Sequence, residues 1–290
     1  MSEVKPDRSG LLPFREHQIY WEYHGRGERE AICLLNGLAM HCPAWYWCLP
    51  QLLDEFDVIL YDYLGQGRSS CPDEPHFIPD FCHALTGIID ELDIARIHVM
   101  GISYGGFTAL QVASHNPPHL TSIIPVDITD DRYTDDCHYR GGLLRKCFDI
   151  AYYGGQMVVR NAMPPNPEWS GDTWAQVWEH HLAHDEPYLL KWYRHQVDGE
   201  YWRNGSVRDA PERIRCPAFL IGGWRDGYPN PTLRLYQALP GPKKLLFGPW
   251  NHALPDVAVP GPRIDYLAEV LRWLEYWCRG EETGIMDEPP

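Results

Sequence analysis

The hexapeptide Gly101-Ile102-Ser103-Tyr104-Gly105-Gly106 follows the apolar run Ile97-His98-Val99-Met100 and leads into Phe107-Thr108-Ala109-Leu110-Gln111-Val112-Ala113. This order reads as strand, sharp turn and helix, with a serine at the apex. Glycines on both sides let strand and helix close tightly around a strained Ser103 and leave its Oγ exposed. The helix start adds outward-pointing N–H groups and the positive end of a dipole beside that oxygen. The chemistry such a serine permits is nucleophilic attack on a carbonyl. The competing reading is a strand-to-helix turn in which Ser103 only caps the helix.

A serine hydroxyl is too weak an acid to attack unaided, so it needs a base, and the base needs an orienting carboxylate. In strand–turn–helix arrangements of this kind the partners follow in the order serine, acid, histidine. Two loops fit. The run Phe219-Leu220-Ile221 enters Gly222-Gly223-Trp224-Arg225-Asp226-Gly227, and Leu245-Leu246-Phe247 enters Gly248-Pro249-Trp250-Asn251-His252. Asp226 and His252 thereby stand just beyond two successive strand ends. Asp127, at the end of the strand read over residues 121–126, is the rival acid. The oxyanion of an acyl-transfer intermediate needs two preorganised donors. The Tyr104 N–H is one, and the loop Asn36-Gly37-Leu38-Ala39 supplies the other, with the Leu38 N–H favoured.

The elements that must position these groups alternate. Short apolar strands at residues 31–35, 58–61, 97–102, 121–126, 218–221 and 244–247 are interleaved with helical periodicity over 77–92, 107–114 and 264–277. Such alternation predicts βαβ units and a mostly parallel sheet, whose active residues gather at the carboxyl ends of the strands. The pattern breaks between residues 129 and 210, a stretch rich in Tyr and Trp with the loop Met163-Pro164-Pro165-Asn166-Pro167. We expect a core in two parts, 1–128 and 211–290, with a helical cap over 129–210 whose wall favours an apolar or aryl acyl group.

Composition narrows the class of partner. The 290 residues carry 25 basic and 40 acidic side chains, a net charge of −15, which disfavours nucleic acid and anionic membrane. Nine scattered cysteines form no C-x-x-C pair, and Met1 to Leu12 show no apolar core of a leader, so a reducing cytoplasmic setting is expected. Gly65-Gln66-Gly67-Arg68-Ser69 lacks the third glycine or lysine of a nucleotide loop. His180 and His184 have metal-compatible spacing on a helix but no third ligand in view. No cofactor and no metal are expected; the oligomeric state stays open.

With the triad candidates assembled, the chain resembles the α/β-hydrolases. Residues 127–290 are similar to the CocE/NonD hydrolases allied to X-Pro dipeptidyl-peptidases, through Asp130-Asp131-Arg132-Tyr133, His138-Tyr139-Arg140-Gly141-Gly142, Tyr201-Trp202-Arg203-Asn204-Gly205-Ser206, Gly222–Tyr228 and Gly248–His252. Residues 15–125 instead resemble small lidded α/β-hydrolases, through Leu34-Leu35-Asn36-Gly37-Leu38 and Tyr61-Asp62-Tyr63-Leu64-Gly65-Gln66-Gly67-Arg68-Ser69. The resemblance implies an α/β-hydrolase fold of about eight strands and assigns acid and base to Asp226 and His252. The tyrosine oxyanion donor of the CocE-like branch has no counterpart here. The expected activity is cleavage of a small-molecule carboxylic ester through an acyl-enzyme on Ser103. Amide or amino-acid-ester cleavage of the X-Pro type is the alternative, needing a carboxylate for the substrate ammonium (Glu168, Asp172, Glu179, Asp185 or Glu186). A non-catalytic protein that keeps the fold is a third.

Overall fold

The strands in chain order are β1 (Arg8–Phe14), β2 (His17–His24), β3 (Ala31–Leu35), β4 (Asp57–Tyr61), β5 (Ile97–Ile102), β6 (Leu120–Val126), β7 (Tyr139–Arg140), β8 (Leu143–Leu144), β9 (Ala218–Gly223) and β10 (Lys243–Gly248). The computed structural model describes residues 4–72, 74 and 76–289; Met1 to Glu3, part of the amino-terminal stretch read above, lie outside them. Eight strands make one sheet in the order β1-β2-β4-β3-β5-β6-β9-β10, parallel from β4 to β10, with the β1–β2 hairpin antiparallel at one edge. Every residue of β3, β4, β5 and β9 is buried. A strand covered on both faces is predominantly apolar, which is why these runs show no alternation; Asp57 in β4 and His98 in β5 are buried polar exceptions.

The α-helices of seven residues or more are α1 (Ile78–Leu92), α2 (Tyr104–Ser114), α3 (Gly154–Asn161), α4 (Trp174–His184), α5 (Tyr188–Arg194), α6 (Pro229–Ala238) and α7 (Tyr266–Arg279), and a π-helical turn covers Cys147–Tyr153. The closing helix α7 buries Leu267, Val270, Trp273 and Leu274 against a core that includes Ile32, Leu34, Met100 and Phe219. It starts on Asp265, whose carboxylate accepts the Ala268 N–H, and stops at Gly280 in the left-handed region. None of the described helices is long and apolar enough to cross a membrane.

Two compact units emerge. One comprises residues up to Asp130 and from Val207 onward; the other is Asp131–Ser206. Within the second, His138 Nδ1 donates to Asp149 Oδ1 at 2.8 Å, and its ring lies 4.1 Å from Trp192 and 5.6 Å from Trp202. Tyr133 stacks on Tyr139 at 4.5 Å. These aromatic side chains therefore serve the interior of their own unit. The rings of His180 and His184 lie 4.2 Å apart and tilted on α4, and His184 Nδ1 donates to the His180 carbonyl.

Candidate active site

Strand β3 lies between β4 and β5, so the chain reverses direction of travel across the sheet on either side of it. Loops leaving β3 and β5 diverge there and open a crevice at the carboxyl ends of the strands. Leu35 pairs with Gly101 in register, which sets the loop after β3 beside the turn after β5. Ser103 forms that turn with φ 56° and ψ −117°, a region that costs a non-glycine residue on the order of 1–3 kcal/mol. Its N–H donates to the Val126 carbonyl at 2.9 Å, and its own carbonyl accepts the Phe107 N–H at 3.0 Å. A Cβ on Gly101 would run into the Gly105 backbone, and one on Gly105 into the Leu35 carbonyl. The glycines thus permit the close crossing that lifts Ser103 out of the sheet.

The same edge gathers the acid and base candidates. Asp127 follows β6 directly and donates its N–H to the Ile221 carbonyl at 2.9 Å, so it occupies the strand next to Ser103. Asp226 lies three residues beyond β9 and His252 four beyond β10. Their loops are stitched together by Trp224 N–H to Gly248 O at 2.9 Å and Arg225 N–H to Trp250 O at 3.0 Å. His252 Nδ1 stands 2.7 Å from Asp226 Oδ1 and 3.9 Å from Asp127 Oδ2. The imidazole side chain is 42 % exposed whereas the Asp226 carboxylate is 1 % exposed, so the candidate base is accessible and the candidate acid sheltered. A proton on Nδ1 serves the carboxylate and leaves Nε2 as the nitrogen able to take a proton from a substrate-side group.

The structure thus brings both sequence candidates for the acid to one histidine. Asp226 holds the hydrogen bond; Asp127 is the nearer to Ser103 along the sheet. Oδ2 of each carboxylate is buried and has no hydrogen-bond partner. Burial pushes the Asp127 carboxyl well above the ordinary range, the Asp226 charge pushes it further, and His252 and the Ala253 N–H only partly oppose them. Asp127 therefore keeps its proton in the folded protein at pH values where the unfolded chain has lost it. A folded-state pKa raised above about 4 makes stability fall as pH rises from about 4 toward the raised value. Asp127→Asn removes that slope. Melting temperatures of the variant and the parent are expected to converge near pH 4 and to separate at pH 8, the variant being the more stable; a constant gap across this range contradicts the assignment.

The two oxyanion candidates flank the serine. Tyr104 is the first residue of α2, whose first-turn N–H groups find no acceptor within the helix. Leu38 sits in a turn closed by the Met40 N–H on the Gly37 carbonyl at 3.1 Å, with Ala39 at φ 61°. A Cβ on Gly37 would lie 3.3 Å from the Ile102 carbonyl, so this turn rests on the residue preceding Ser103. The glycine pair Gly65 and Gly67 has a structural use instead: Asp62 accepts the Arg68 N–H at 2.9 Å and the Cys42 N–H at 2.8 Å, tying two loops together. Among the described residues, two clusters of three possible metal ligands occur, Asp127/Asp226/His252 and Glu30/His98/Cys278. The second was not legible from sequence spacing, because its members are far apart in the chain.

Strand order, elbow and end-loops define an α/β-hydrolase. A sequence model described as the alpha/beta hydrolase fold matches residues 30–140. The chain belongs to the X-Pro dipeptidyl-peptidase (S15) family, whose model matches residues 94–254 and so takes in Ser103, Asp226 and His252 together. Among curated proteins, it is similar to RutD of Stutzerimonas stutzeri, named for carbamate hydrolysis, with 32% identity over 112 residues, 38% of this chain and 42% of that protein. It is also similar to 3-oxoadipate enol-lactonase 2 of Acinetobacter baylyi, 31% identical over 100 residues, 34% of this chain and 38% of that protein. The chain thus spans less than half the length of these curated relatives. Esterase RhEst1 from Rhodococcus sp. shares the fold at a TM-score of 0.64 and 16% identity, covering 93% of this chain and 98% of that one.

Proposed function

We propose that this chain is a serine hydrolase that cleaves small-molecule carboxylic esters by acyl transfer. The observation that carries the reading is the His252–Asp226 pair at 2.7 Å on the sheet edge where Ser103 is held in its strained turn. Ser103 Oγ attacks the ester carbonyl while its proton passes to His252 Nε2. The resulting oxyanion accepts hydrogen bonds from the Tyr104 and Leu38 N–H groups. Collapse breaks the bond to the alcohol oxygen, which leaves with the proton from Nε2. A water, deprotonated by the same nitrogen, then releases the acid and restores Ser103. Asp226 accepts the Nδ1–H hydrogen bond and holds the ring. Residues 129–210 enter this reading as a helical cap that sets acyl preference, and nine scattered cysteines with no C-x-x-C pair fit a cytoplasmic setting.

Family membership favours a second reading, cleavage after an X-Pro dipeptide, whose substrate brings an ammonium group. Comparing p-nitrophenyl acyl esters with Xaa-Pro p-nitroanilides separates the two. The ester is expected to be turned over with a kcat/KM at least about 100-fold higher, a gap of roughly 2.7 kcal/mol in transition-state binding. A reversed ratio would assign the peptidase reading. Turnover of neither, with no covalent labelling of Ser103, would leave the fold as a binding scaffold.

A further inference from the structure

At the amino-terminal edge of the sheet, opposite the edge that carries Ser103, three ligating side chains meet. Glu30 directly precedes β3, His98 is the second residue of β5, and Cys278 lies in the last turn of α7. Cys278 Sγ is 2.6 Å from His98 Nε2, and Glu30 Oε2 is 3.4 Å from the same nitrogen. A ring nitrogen carries one proton or one lone pair, so it satisfies one hydrogen-bond partner along its axis. Two ligating groups aimed at it form an arrangement that a metal ion completes for all three at once.

The surroundings are those of a metal-bound imidazole. His98 is fully buried, and its other nitrogen, Nδ1, lies 2.7 Å from Ser122 Oγ. That oxygen accepts the Trp273 indole N–H at 3.1 Å, which holds it in place. An Nδ1–H donated to Ser122 turns the Nε2 lone pair toward Cys278 and Glu30, the orienting role that outer hydrogen bonds play around metal ligands. Arg96 holds Glu30 Oε1 at 3.1 Å and leaves Oε2 for the site. The Glu30 side chain is 27 % exposed, which gives an ion a way in.

The geometry points to a binding site for one divalent ion of the zinc class, formed by Glu30 Oε2, His98 Nε2 and Cys278 Sγ with water completing the shell. Sulfur, imidazole nitrogen and one carboxylate oxygen are a donor set that suits zinc or cobalt and is too soft for magnesium or calcium. Tetrahedral coordination at bond lengths of about 2.0–2.3 Å separates N from O by about 3.4 Å and N from S by about 3.5 Å. The Glu30–His98 spacing already matches. The sulfur must withdraw by about 0.9 Å, a side-chain rotation at the end of a helix. Thiolate and carboxylate together neutralise the ion. Burial, the hydrogen bond to Glu30 and the Glu30 charge hold the Cys278 thiol up, against the opposing pull of Arg96 and Arg279, so uptake displaces its proton. His98 and Ser103 are separated by five residues of strand, roughly 16 Å at 3.3 Å per residue, so the site is separate from the hydrolytic one.

Cobalt(II) tests this on the whole chain after removal of adventitious metal with a chelator. One equivalent is expected to bind with a thiolate-to-cobalt charge-transfer absorption in the near ultraviolet, to be displaced by zinc(II), and to release a proton. Cys278→Ser, which keeps a hydrogen bond to His98, is expected to abolish the absorption, and Glu30→Gln to weaken binding by about 10-fold or more. Cys71→Ser, at an exposed thiol, is expected to leave both unchanged. Zinc(II) is expected to raise the melting temperature of the parent and not that of Cys278→Ser. Absence of the absorption in the parent, or its survival in Cys278→Ser, overturns the proposal. Should Cys278→Ser fail to fold, unchanged cobalt affinity in Glu30→Gln at its half-buried position overturns it equally.

Discussion

Ser103→Ala is expected to lower kcat for an activated ester by on the order of 10⁴-fold or more, with the melting temperature within about 1 °C of the parent. Removing the nucleophile of a serine hydrolase leaves only binding and oxyanion stabilisation, so losses of 10⁴ to 10⁶ are the expected scale. The stability half of the expectation follows from the backbone. Ser103 sits at φ 56°, ψ −117°, and alanine carries the same Cβ, so the strain of the turn is neither added nor relieved. The helix keeps its start, because Ser103 caps α2 through its carbonyl to the Phe107 N–H at 3.0 Å and makes no side-chain cap bond. A large drop in melting temperature would make Ser103 a structural residue. Activity within about 10-fold of the parent would place the nucleophile elsewhere.

The second large effect separates the two acids. Asp226→Asn is expected to lower kcat by roughly 10³- to 10⁴-fold, the scale seen when an orienting carboxylate becomes an amide and the histidine is held in the wrong tautomer. Asp127→Asn is expected to cost less than about 10-fold. The difference rests on geometry: Asp226 Oδ1 is at hydrogen-bond distance from His252 Nδ1, whereas Asp127 Oδ2 is at 3.9 Å and belongs to a carboxyl that burial and the Asp226 charge bias toward its neutral form. A neutral acid cannot stabilise an imidazolium as a carboxylate does. If the two effects are exchanged, the orienting acid is the one after β6. If both are large and the double variant is no worse than either, the two carboxyl groups act as one unit.

Local pattern made the frame readable. β3 and β5 begin and end where the apolar runs do, because both faces of each are covered; His98 is the one polar side chain within β5, and it is fully buried. The helix after Ser103 was expected from Phe107 and starts at Tyr104. Gly105 and Gly106 disfavour a helix on propensity, yet packing against Leu35 and Ile128 requires them there. Strand β1 went unread, since Ser9, Gly10 and Pro13 dilute its alternation and its partner β2 supplies the pairing. Helix α6 was hidden by Pro229 and Pro231 and a buried face of only Pro231, Thr232 and Leu235. The break in strand pattern was placed at residue 129, and the contact division falls after Asp130. That both Asp127 and Asp226 reach His252 follows from register across β6, β9 and β10, which spacing in one sequence does not express. Glu30, His98 and Cys278 span still more of the chain, with 68 residues between the first two and 180 between the last two.

The central claim is that Ser103 is a nucleophile primed by His252. Its most direct test is intact-mass and peptide mapping of the whole chain after brief exposure to a fluorophosphonate. One adduct is expected, on Ser103, formed at least about 100-fold more slowly in His252→Ala, since an unassisted hydroxyl reacts poorly. No adduct, an adduct on a different residue while ester turnover continues, or labelling of Ser103 at an unchanged rate in His252→Ala would contradict it.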